Sequence, residues 1–358
     1  MEITKNDVEQ AVGLLKILVS TPSVSRDESA AADRLQSYIE RSAPFLERVH
    51  RHLNNIWCVA PGYDVSKPTL LLDAHIDTVK PVAAWTKHPF TPVIEDDCLY
   101  GLGSNDDGAS LVTMLHIFYK LCQSPQNYNV VFLASAEEEV SGKDGLEAVM
   151  PMLPPLSCAI IGEPTGMHPA IAEKGLMVLD CTAHGRSGHA ARNEGVNAIY
   201  EALPDVEWLR TYSFPKVSPL LGAVKMSVTQ INAGVQHNVV PDMCKFVVDV
   251  RSNECYSNQE IVDIVTANVK CDVKPRSLRL NSSSIAMEHP LVKRAMELGR
   301  EPFGSPTLSN QALVNDVPCL KMGPGESSRS HTANEYVKIS EIRQGMEIFA
   351  QMLDGLKL

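Results

Sequence analysis

The sequence predicts an α/β protein in which helices cover both faces of a sheet and a smaller α+β unit is inserted into the chain. Short apolar runs alternate with helical patterns in the first and last parts of the chain, as is typical of a sheet buried on both sides. Between residues 174 and 280 the pattern changes to two helices among short strands. The length of 358 residues suits about two domains.

The first segment contains the elements of the larger sheet. Apolar residues recur at helical spacing from Val8 to Leu18, and a second helical pattern covers Glu28–Ile39. Apolar runs predict strands at Ile56–Val59, Leu70–Leu72, Val130–Leu133 and Ala159–Ile161. A helix over Ser110–Leu121 separates the middle pair of strands.

The rest of the chain divides into an inserted unit and a returning segment. The inserted unit has strands at Met177–Thr182, Lys225–Ile231 and Phe246–Val250, helices at Asn197–Trp208 and Gln259–Val269, and a final strand. The returning segment has a helix at Leu291–Phe303, a strand at Cys319–Met322 and a helix at Ile339–Leu353. Because this segment is short for a domain, we predict one domain of residues 1–173 with 281–358, and an inserted domain of residues 174–280.

Composition excludes several classes of function. Asp and Glu number 43 against 32 Lys and Arg, and the net charge of −11 disfavours binding to nucleic acid or to an anionic membrane. No apolar stretch reaches the roughly 18–20 residues that cross a bilayer, and the acidic, amphipathic N-terminus does not resemble a secretory signal. Nine scattered cysteines without a C-x-x-C pair predict buried thiols in a reducing cytoplasm.

Polar side chains able to bind a metal follow several strands. His75 ends an apolar strand, and Asp77, on the same face two residues later, could orient the His75 ring. A Gly-rich turn carries Asp106 next to a second carboxylate. Three adjacent glutamates, Glu137–Glu139, follow another strand, and a divalent cation would relieve their mutual repulsion.

Two further candidates complete the set. Glu163 follows a strand, and His331 lies in a C-terminal loop after a Gly-Pro-Gly turn. Each of these motifs is by itself equally compatible with a structural or solvated residue. Together they supply the nitrogen and oxygen ligands of a two-metal hydrolytic site, in which a spare glutamate can accept the proton of a water molecule.

The motifs resemble, in type and order, the metal-dependent deacylase and exopeptidase family that contains acetylornithine deacetylase, succinyl-diaminopimelate desuccinylase, aminoacylase and glutamate carboxypeptidases. The resemblance covers nearly the whole chain and rests on Thr21-Pro22-Ser23, His75-Ile76-Asp77, Asp106-Asp107, Glu138-Glu139, Gly162-Glu163-Pro164-Thr165 and Ser330-His331-Thr332-Ala333-Asn334-Glu335-Tyr336. It implies a central mixed, largely parallel sheet of the di-zinc aminopeptidase type, with an inserted ferredoxin-like lid and dimerisation domain.

The resemblance also implies roles for the residues of the larger domain. Two divalent metal ions, zinc by default and cobalt as a substitute, would be held by His75, Asp106 and Glu163 and by Asp106, Glu139 and His331, with Asp106 as the bridge. Asp77 would support His75, and Glu138 would be the general base and acid. Because the family usually has Asp where this chain has Glu137, Glu137 is the alternative base.

In the inserted domain the resemblance points to three residues. His189 would reach the scissile carbonyl, in many members of the family from the partner subunit, and stabilise the oxyanion. Asn238 would bind near the acyl group. Arg251 would clamp the α-carboxylate of the substrate, the alternative being a surface ion pair.

The function implied is metal-dependent hydrolysis of an N-acetyl or N-succinyl group from ornithine or a similar amino acid, in arginine biosynthesis. Succinyl-diaminopimelate desuccinylase and a metal-dependent dipeptidase or carboxypeptidase are the alternatives among enzymes. The alternative outside enzymes is a protein that binds an amino-acid derivative on the same fold. We expect a cytoplasmic homodimer formed through the inserted domain.

Overall fold

The computed structural model describes residues 1–192, 194–314 and 317–358, which form eight α-helices and eighteen strands. The helices are α1 (Lys5–Val19), α2 (Ser29–Ser42), α3 (Gly108–Cys122), α4 (Leu146–Val149), α5 (Ala198–Thr211), α6 (Asn258–Asn268), α7 (Pro290–Glu297) and α8 (Ile339–Leu353). The first nine strands are β1 (Val49–His52), β2 (Asn55–Val59), β3 (Thr69–His75), β4 (Val93–Glu95), β5 (Cys98–Tyr100), β6 (Asn129–Ser135), β7 (Cys158–Ile161), β8 (Ala170–Glu173) and β9 (Gly175–His184). The others are β10 (Gly188–His189), β11 (Lys225–Ala233), β12 (Val239–Val240), β13 (Met243–Ser252), β14 (Asp272–Pro275), β15 (Ser283–Ser284), β16 (Phe303–Ser305), β17 (Cys319–Lys321) and β18 (Tyr336–Lys338).

The chain divides into two compact units. Unit 1 comprises Met1–Ile171, Ile285–Phe303 and Ser309–Leu358, and unit 2 comprises Ala172–Ser284 and Gly304–Leu308. The short segment Gly304–Leu308 belongs to unit 2 although it lies in the returning part of the chain, a detail that the sequence pattern did not indicate.

Unit 1 is built on a mixed sheet with the order β1-β2-β6-β3-β7-β17-β8. The central strands β6, β3, β7 and β17 run parallel, and the strands outside them pair antiparallel. This is the predicted α/β class, which the structure confirms. The parallel centre places the carboxyl ends of three of its strands, β3, β6 and β7, at one edge of the sheet.

Both faces of this sheet are buried, which explains why its strands have nearly continuous apolar runs. Leu70 and Leu72 of β3 pack with the helices α1, α2, α3, α7 and α8, and Leu71 between them packs with α4 and the short 3₁₀-helix Asn310–Leu313 on the other face. A separate three-stranded sheet, β18-β5-β4, lies in the same unit.

One predicted helix is wrong in length. The helix expected over Leu291–Phe303 ends at Glu297, and Phe303 begins strand β16. Gly299, two residues beyond this end, has φ of +73°, a left-handed conformation that glycine adopts without a steric penalty and that terminates helices.

Unit 2 follows the order β9-α5-β11-β13-α6-β14, and its antiparallel sheet has the order β11-β13-β9-β14. This βαββαβ arrangement is ferredoxin-like. Alternate residues of β9, namely Met177, Leu179 and Cys181, are buried in a core shared with α5 and α6, while the residues between them are partly exposed. Such alternation is typical of a sheet covered by helices on one face.

The remaining global expectations can be compared with the described residues. No helix in the described ranges is long and apolar enough to cross a membrane. All nine cysteines are free thiols, and six of them are buried: Cys58, Cys158, Cys181, Cys244, Cys271 and Cys319.

Candidate metal centre

The candidate site lies in unit 1, where three parallel strands end. His75 is the last residue of β3, Glu163 follows β7 by two residues, and Glu138–Glu139 follow β6. The other two predicted ligands come from turns: Asp106 precedes α3, and His331 lies between β17 and β18. Segments far apart in sequence thus supply the predicted ligands to one edge of the sheet.

Asp106 faces both histidines. Its Oδ1 lies 3.1 Å from Nε2 of His75, and its Oδ2 lies 3.6 Å from Nε2 of His331. The Asp106 side chain is almost fully buried, so its carboxylate points into the cluster and not into solvent. Two imidazole nitrogens on opposite oxygens of one carboxylate is the arrangement that a bridging ligand requires.

The remaining predicted ligands surround this core. Nε2 of His331 lies 2.9 Å from an oxygen of Glu139. Ligand atoms of His75, Asp106 and Glu139 lie within 4.8 Å of one another, and so do those of His75, Glu138 and Glu163. The structure therefore brings together all five predicted metal ligands, with Glu138 beside them.

Crowding of these groups shifts their pKa values in opposite directions. Burial raises the pKa of Glu163 to about 8, and repulsion from Asp106 adds to this effect. Burial likewise raises the pKa of Glu138 well above its usual range. Its hydrogen bond to Glu139 raises the pKa of His331 to about 9. A bound cation would favour ionised carboxylates and neutral imidazoles here, and so relieve both shifts.

Asp77 links His75 to the two glutamates. Nδ1 of His75 donates to the backbone carbonyl oxygen of Asp77 at 2.9 Å, while a carboxylate oxygen lies at 3.5 Å. The carboxylate of Asp77 accepts hydrogen bonds from the backbone N–H groups of Glu138 at 3.0 Å and Glu139 at 3.2 Å, and from the Ser25 hydroxyl at 2.7 Å. Fixing Nδ1 as the donor leaves the Nε2 lone pair of His75 available to a metal.

The backbone at Glu137 separates it from the neighbouring glutamates. Its φ of 55° and ψ of 23° are left-handed, a conformation that non-glycine residues adopt mainly in strained turns near functional sites. The Glu137 carboxylate lies 3.9 Å from the guanidinium of Arg26 and belongs to neither group of candidate ligands. Of the two candidate bases, only Glu138 lies in the cluster.

Three predicted residues belong to unit 2. His189, in β10, is exposed, and its Nδ1 accepts the backbone N–H of Ala191 at 3.2 Å. The exposed Asn238 accepts a hydrogen bond from the N–H of Ala190 through its backbone oxygen. The guanidinium of Arg251 pairs with both carboxylate oxygens of Asp249, at 2.9 and 3.2 Å.

Sequence reasoning assigned no role to three buried residues beside the ligands. Asp107 is 1% exposed, and burial raises its pKa well above the usual range. Asn105 and Glu335 are also buried, and both bond to backbone groups of the loops that carry ligands. The Asp-Asp pair and the Asn-Glu pair were visible as motifs, but the burial that distinguishes these residues is a property of the fold.

The donor set suits a divalent transition metal. Two imidazole nitrogens and several carboxylate oxygens form a mixed nitrogen and oxygen environment, which zinc and its neighbours prefer over calcium or magnesium. The support of His75 by a carbonyl oxygen is a common companion of metal-binding histidines. The residues present therefore fit a metal centre.

Comparison with known proteins agrees with this chemistry. Acetylornithine deacetylase from Pectobacterium carotovorum is 25% identical, with 98% of each chain covered. The [LysW]-lysine/[LysW]-ornithine hydrolase from Sulfurisphaera tokodaii is 28% identical over 89% of this chain and 91% of its own. Among solved structures, the Bacillus subtilis YXEP protein, described as a dinuclear metal binding peptidase, aligns with a TM-score of 0.74 at 15% identity, covering 99% and 100% of the two chains. The description of peptidase family M20/M25/M40 matches residues 71–355. The chain therefore belongs to peptidase family M20/M25/M40 and is a metal-dependent hydrolase.

Proposed function

We propose that this chain hydrolyses the amide bond of an N-acyl amino acid, removing acetyl or succinyl from ornithine or a similar amino acid in arginine biosynthesis. The position of Asp106 between His75 and His331 is the observation that carries this proposal, because it suits a pair of cations that share one carboxylate. The choice of an N-acyl amino acid is supported by the relatives named as acetylornithine deacetylases.

Two divalent cations are part of the proposal, with zinc as the default and cobalt as a substitute. One would be held by His75, Asp106 and Glu163, and the other by Asp106, Glu139 and His331. Bound there, the cations would polarise the amide carbonyl and lower the pKa of a water molecule.

In this mechanism Glu138 moves the proton. Its carboxylate accepts a proton from the water that attacks the carbonyl carbon, and it returns that proton to the amine nitrogen as the C–N bond breaks. The products are a carboxylic acid and a free amine. Asp77 holds the backbone of Glu138 and so orients the side chain for both transfers.

His189 would stabilise the oxyanion that forms on the carbonyl oxygen. Its Nδ1 already accepts a hydrogen bond from a backbone N–H. The proton of the neutral imidazole therefore resides on Nε2, which makes Nε2 a donor toward a developing negative charge.

Two further residues of unit 2 are proposed to bind the substrate. Asp249 occupies the Nε and Nη2 side of the Arg251 guanidinium, which leaves the Nη1 and Nη2 edge to bind an α-carboxylate with two parallel hydrogen bonds. Asn238 is exposed, and its amide would contact the acyl group.

We propose that unit 2 acts as a lid and forms a homodimer. Strand β11 is an edge of its sheet, and Ile231 on this strand is 52% exposed. Helix α5, which packs on β11, exposes the large apolar side chains Tyr200 and Leu203. An edge strand beside apolar surface favours pairing with a second copy.

The dimer has a direct test. We expect light scattering to show a dimer for the wild-type chain and a monomer for Leu203→Asp, with most activity lost in the variant because His189 would act across the interface. A fully active monomeric variant would contradict the role of His189 in the partner. A cytoplasmic location remains part of the proposal, supported by nine free thiols.

A substrate panel tests the reaction. The chain reconstituted with zinc or cobalt is assayed on N-acetylornithine, N-succinylornithine, N-succinyl-diaminopimelate and simple dipeptides, with Glu138→Gln as the control. We expect the highest kcat/KM on an acylornithine. A higher value on a dipeptide or on N-succinyl-diaminopimelate would establish one of the alternatives, and tight binding of an acyl amino acid without turnover would establish a binding protein.

A second candidate substrate class is favoured by one relative. The 28% identity to a hydrolase of [LysW]-lysine and [LysW]-ornithine suggests that the acyl group could belong to a larger carrier. Adding these two conjugates to the panel distinguishes the candidates, since a small-acyl enzyme would leave them intact.

A further inference from the structure

Two loops of unit 1 hold each other through a buried carboxylate. Oε1 of Glu335 accepts the backbone N–H groups of Asn105 and Asp106, both at 2.9 Å, and its Oε2 accepts that of Gly103 at 3.2 Å. Glu335 is 1% exposed, so water does not compete for these bonds. One side chain from the C-terminal loop therefore binds three backbone groups of the turn that carries Asp106.

The turn binds the C-terminal loop in return. Oδ1 of Asn105 accepts the backbone N–H of Glu326 at 3.0 Å, and its Nδ2 donates to the carbonyl oxygen of Glu326 at 3.1 Å and to the Ser330 hydroxyl at 3.4 Å. Asn105 is fully buried. The bonds thus run in both directions between the two loops.

This reciprocal clamp, Asn105 with Glu335, continues a strand ladder. Tyr336 of β18 pairs with Tyr100 of β5, and the N–H of Gly101 donates to the backbone oxygen of Glu335 at 3.0 Å. Beyond Gly101 the strand pairing ends and the side-chain bonds take over. The loops are therefore fixed in register up to the residues that carry the ligands.

The clamp residues are next to the ligands in sequence. Asn105 precedes Asp106, Ser330 precedes His331, and Glu335 lies four residues after His331. A shift of one loop against the other would change the 3.6 Å separation of Asp106 Oδ2 and His331 Nε2. Neither clamp side chain belongs to the groups of candidate ligands.

We propose that Asn105 and Glu335 are positioning residues that set the separation of Asp106 and His331 and thereby the affinity for the cation that these two ligands share with Glu139. The inference rests on the proposed pair of cations. It goes beyond the proposed reaction, because it assigns the affinity of one metal position to two residues that touch neither the metal nor the substrate.

Glu335→Gln is the sharpest perturbation. The amide nitrogen of glutamine is a donor, so one of the two positions that now accept backbone N–H groups would face a donor with another donor. We expect the affinity for one of two equivalents of Co²⁺ to fall 10- to 100-fold, as is typical when outer partners of metal ligands are changed. The other equivalent keeps His75 and Glu163 and should change by less than about threefold.

Glu341→Gln is the matched control. Glu341 lies six residues further along the same segment, is partly buried, and accepts two hydrogen bonds from Arg329 and one from the N–H of Lys338. It holds a helix start and contacts no ligand loop on the Asp106 side. We expect this variant to lose thermal stability while both Co²⁺ affinities stay within about threefold of wild type.

The experiment is a titration of the chelator-treated full chain with Co²⁺, followed by calorimetry and by the visible spectrum of the bound ion, without substrate. A selective loss in Glu335→Gln, reproduced by Asn105→Asp, supports the clamp. Unchanged affinities in a folded Glu335→Gln, or equal losses in Glu335→Gln and Glu341→Gln, overturn it. If Glu335→Gln does not fold, Asn105→Asp decides alone.

The same titration separates this inference from the proposed reaction. A chain that binds two equivalents of Co²⁺ with the expected dependence on the clamp, but cleaves no N-acyl amino acid, refutes the substrate and leaves the clamp intact. A wild-type chain that binds fewer than two equivalents overturns the clamp and the pair of cations together.

Discussion

Replacing Asp77 with asparagine should destabilise unit 1 by an amount that follows from its contacts. The carboxylate accepts three hydrogen bonds, from the N–H groups of Glu138 and Glu139 and from the Ser25 hydroxyl, and it is 1% exposed. Each of its oxygens faces one backbone N–H, so the new amide nitrogen must face one of them in either orientation. A buried N–H left without an acceptor costs about 1–3 kcal/mol.

The assay follows the urea unfolding of the chelator-treated chain in a Trp208→Phe background. Trp57 and Trp85 then report on unit 1 alone, because Trp208 belongs to unit 2. We expect Asp77→Asn to lower the free energy of unfolding by about 1–3 kcal/mol, and Ser25→Ala, which removes a single hydrogen bond, by about 0.5–1.5 kcal/mol. An Asp77→Asn variant within roughly 0.5 kcal/mol of its parent would refute the reasoning.

Three further outcomes are expected. Glu138→Gln should lower kcat by about 10²–10⁴-fold at unchanged metal content, while Glu137→Gln, which changes a side chain outside the cluster, should stay within about threefold; equal losses would contradict the assignment of the base. Because the pKa of His331 is raised to about 9 in the metal-free chain, cation binding must release its proton, so the affinity should rise with pH up to about 9, and calorimetry in buffers of different protonation enthalpy should detect the proton; an affinity independent of pH would be inconsistent with His331 as a ligand. Since burial raises the pKa of Glu163 from 4.5 to about 8, its ionisation costs the metal-free chain stability as the pH rises through this range. Glu163→Gln should therefore raise the melting temperature of the metal-free chain above pH 8 while weakening Co²⁺ binding, and a lower melting temperature there would argue against a strained carboxylate.

Much of this centre was predictable because its ligands follow strands. Apolar runs ending in His75, Glu139 or Glu163 are visible in the sequence, and parallel strands bring such ends to one edge. The position of Asp106 in a Gly-rich turn before a helix could also be read from the sequence. The family resemblance then supplied the pairing of these residues, which spacing alone left open.

Other features depend on backbone angles and burial that no local pattern encodes. The left-handed conformation of Glu137 decides which glutamate enters the cluster, and the sequence left Glu137 and Glu138 as alternatives. The partners of Glu335 are backbone groups more than 200 residues away, so their proximity exists only in the folded chain. Gly299 likewise ended a helix that the apolar spacing extended to Phe303.

The wide separation of the ligands along the chain has a consequence for biosynthesis. His75 is made early, but His331 is supplied by one of the last segments to leave the ribosome. A nascent chain that still lacks this segment displays an acidic, incomplete set of donors at the end of a partly formed sheet. Loading with metal is therefore a late event that follows translation, and a prematurely terminated chain would bind metal weakly and be exposed to proteolysis.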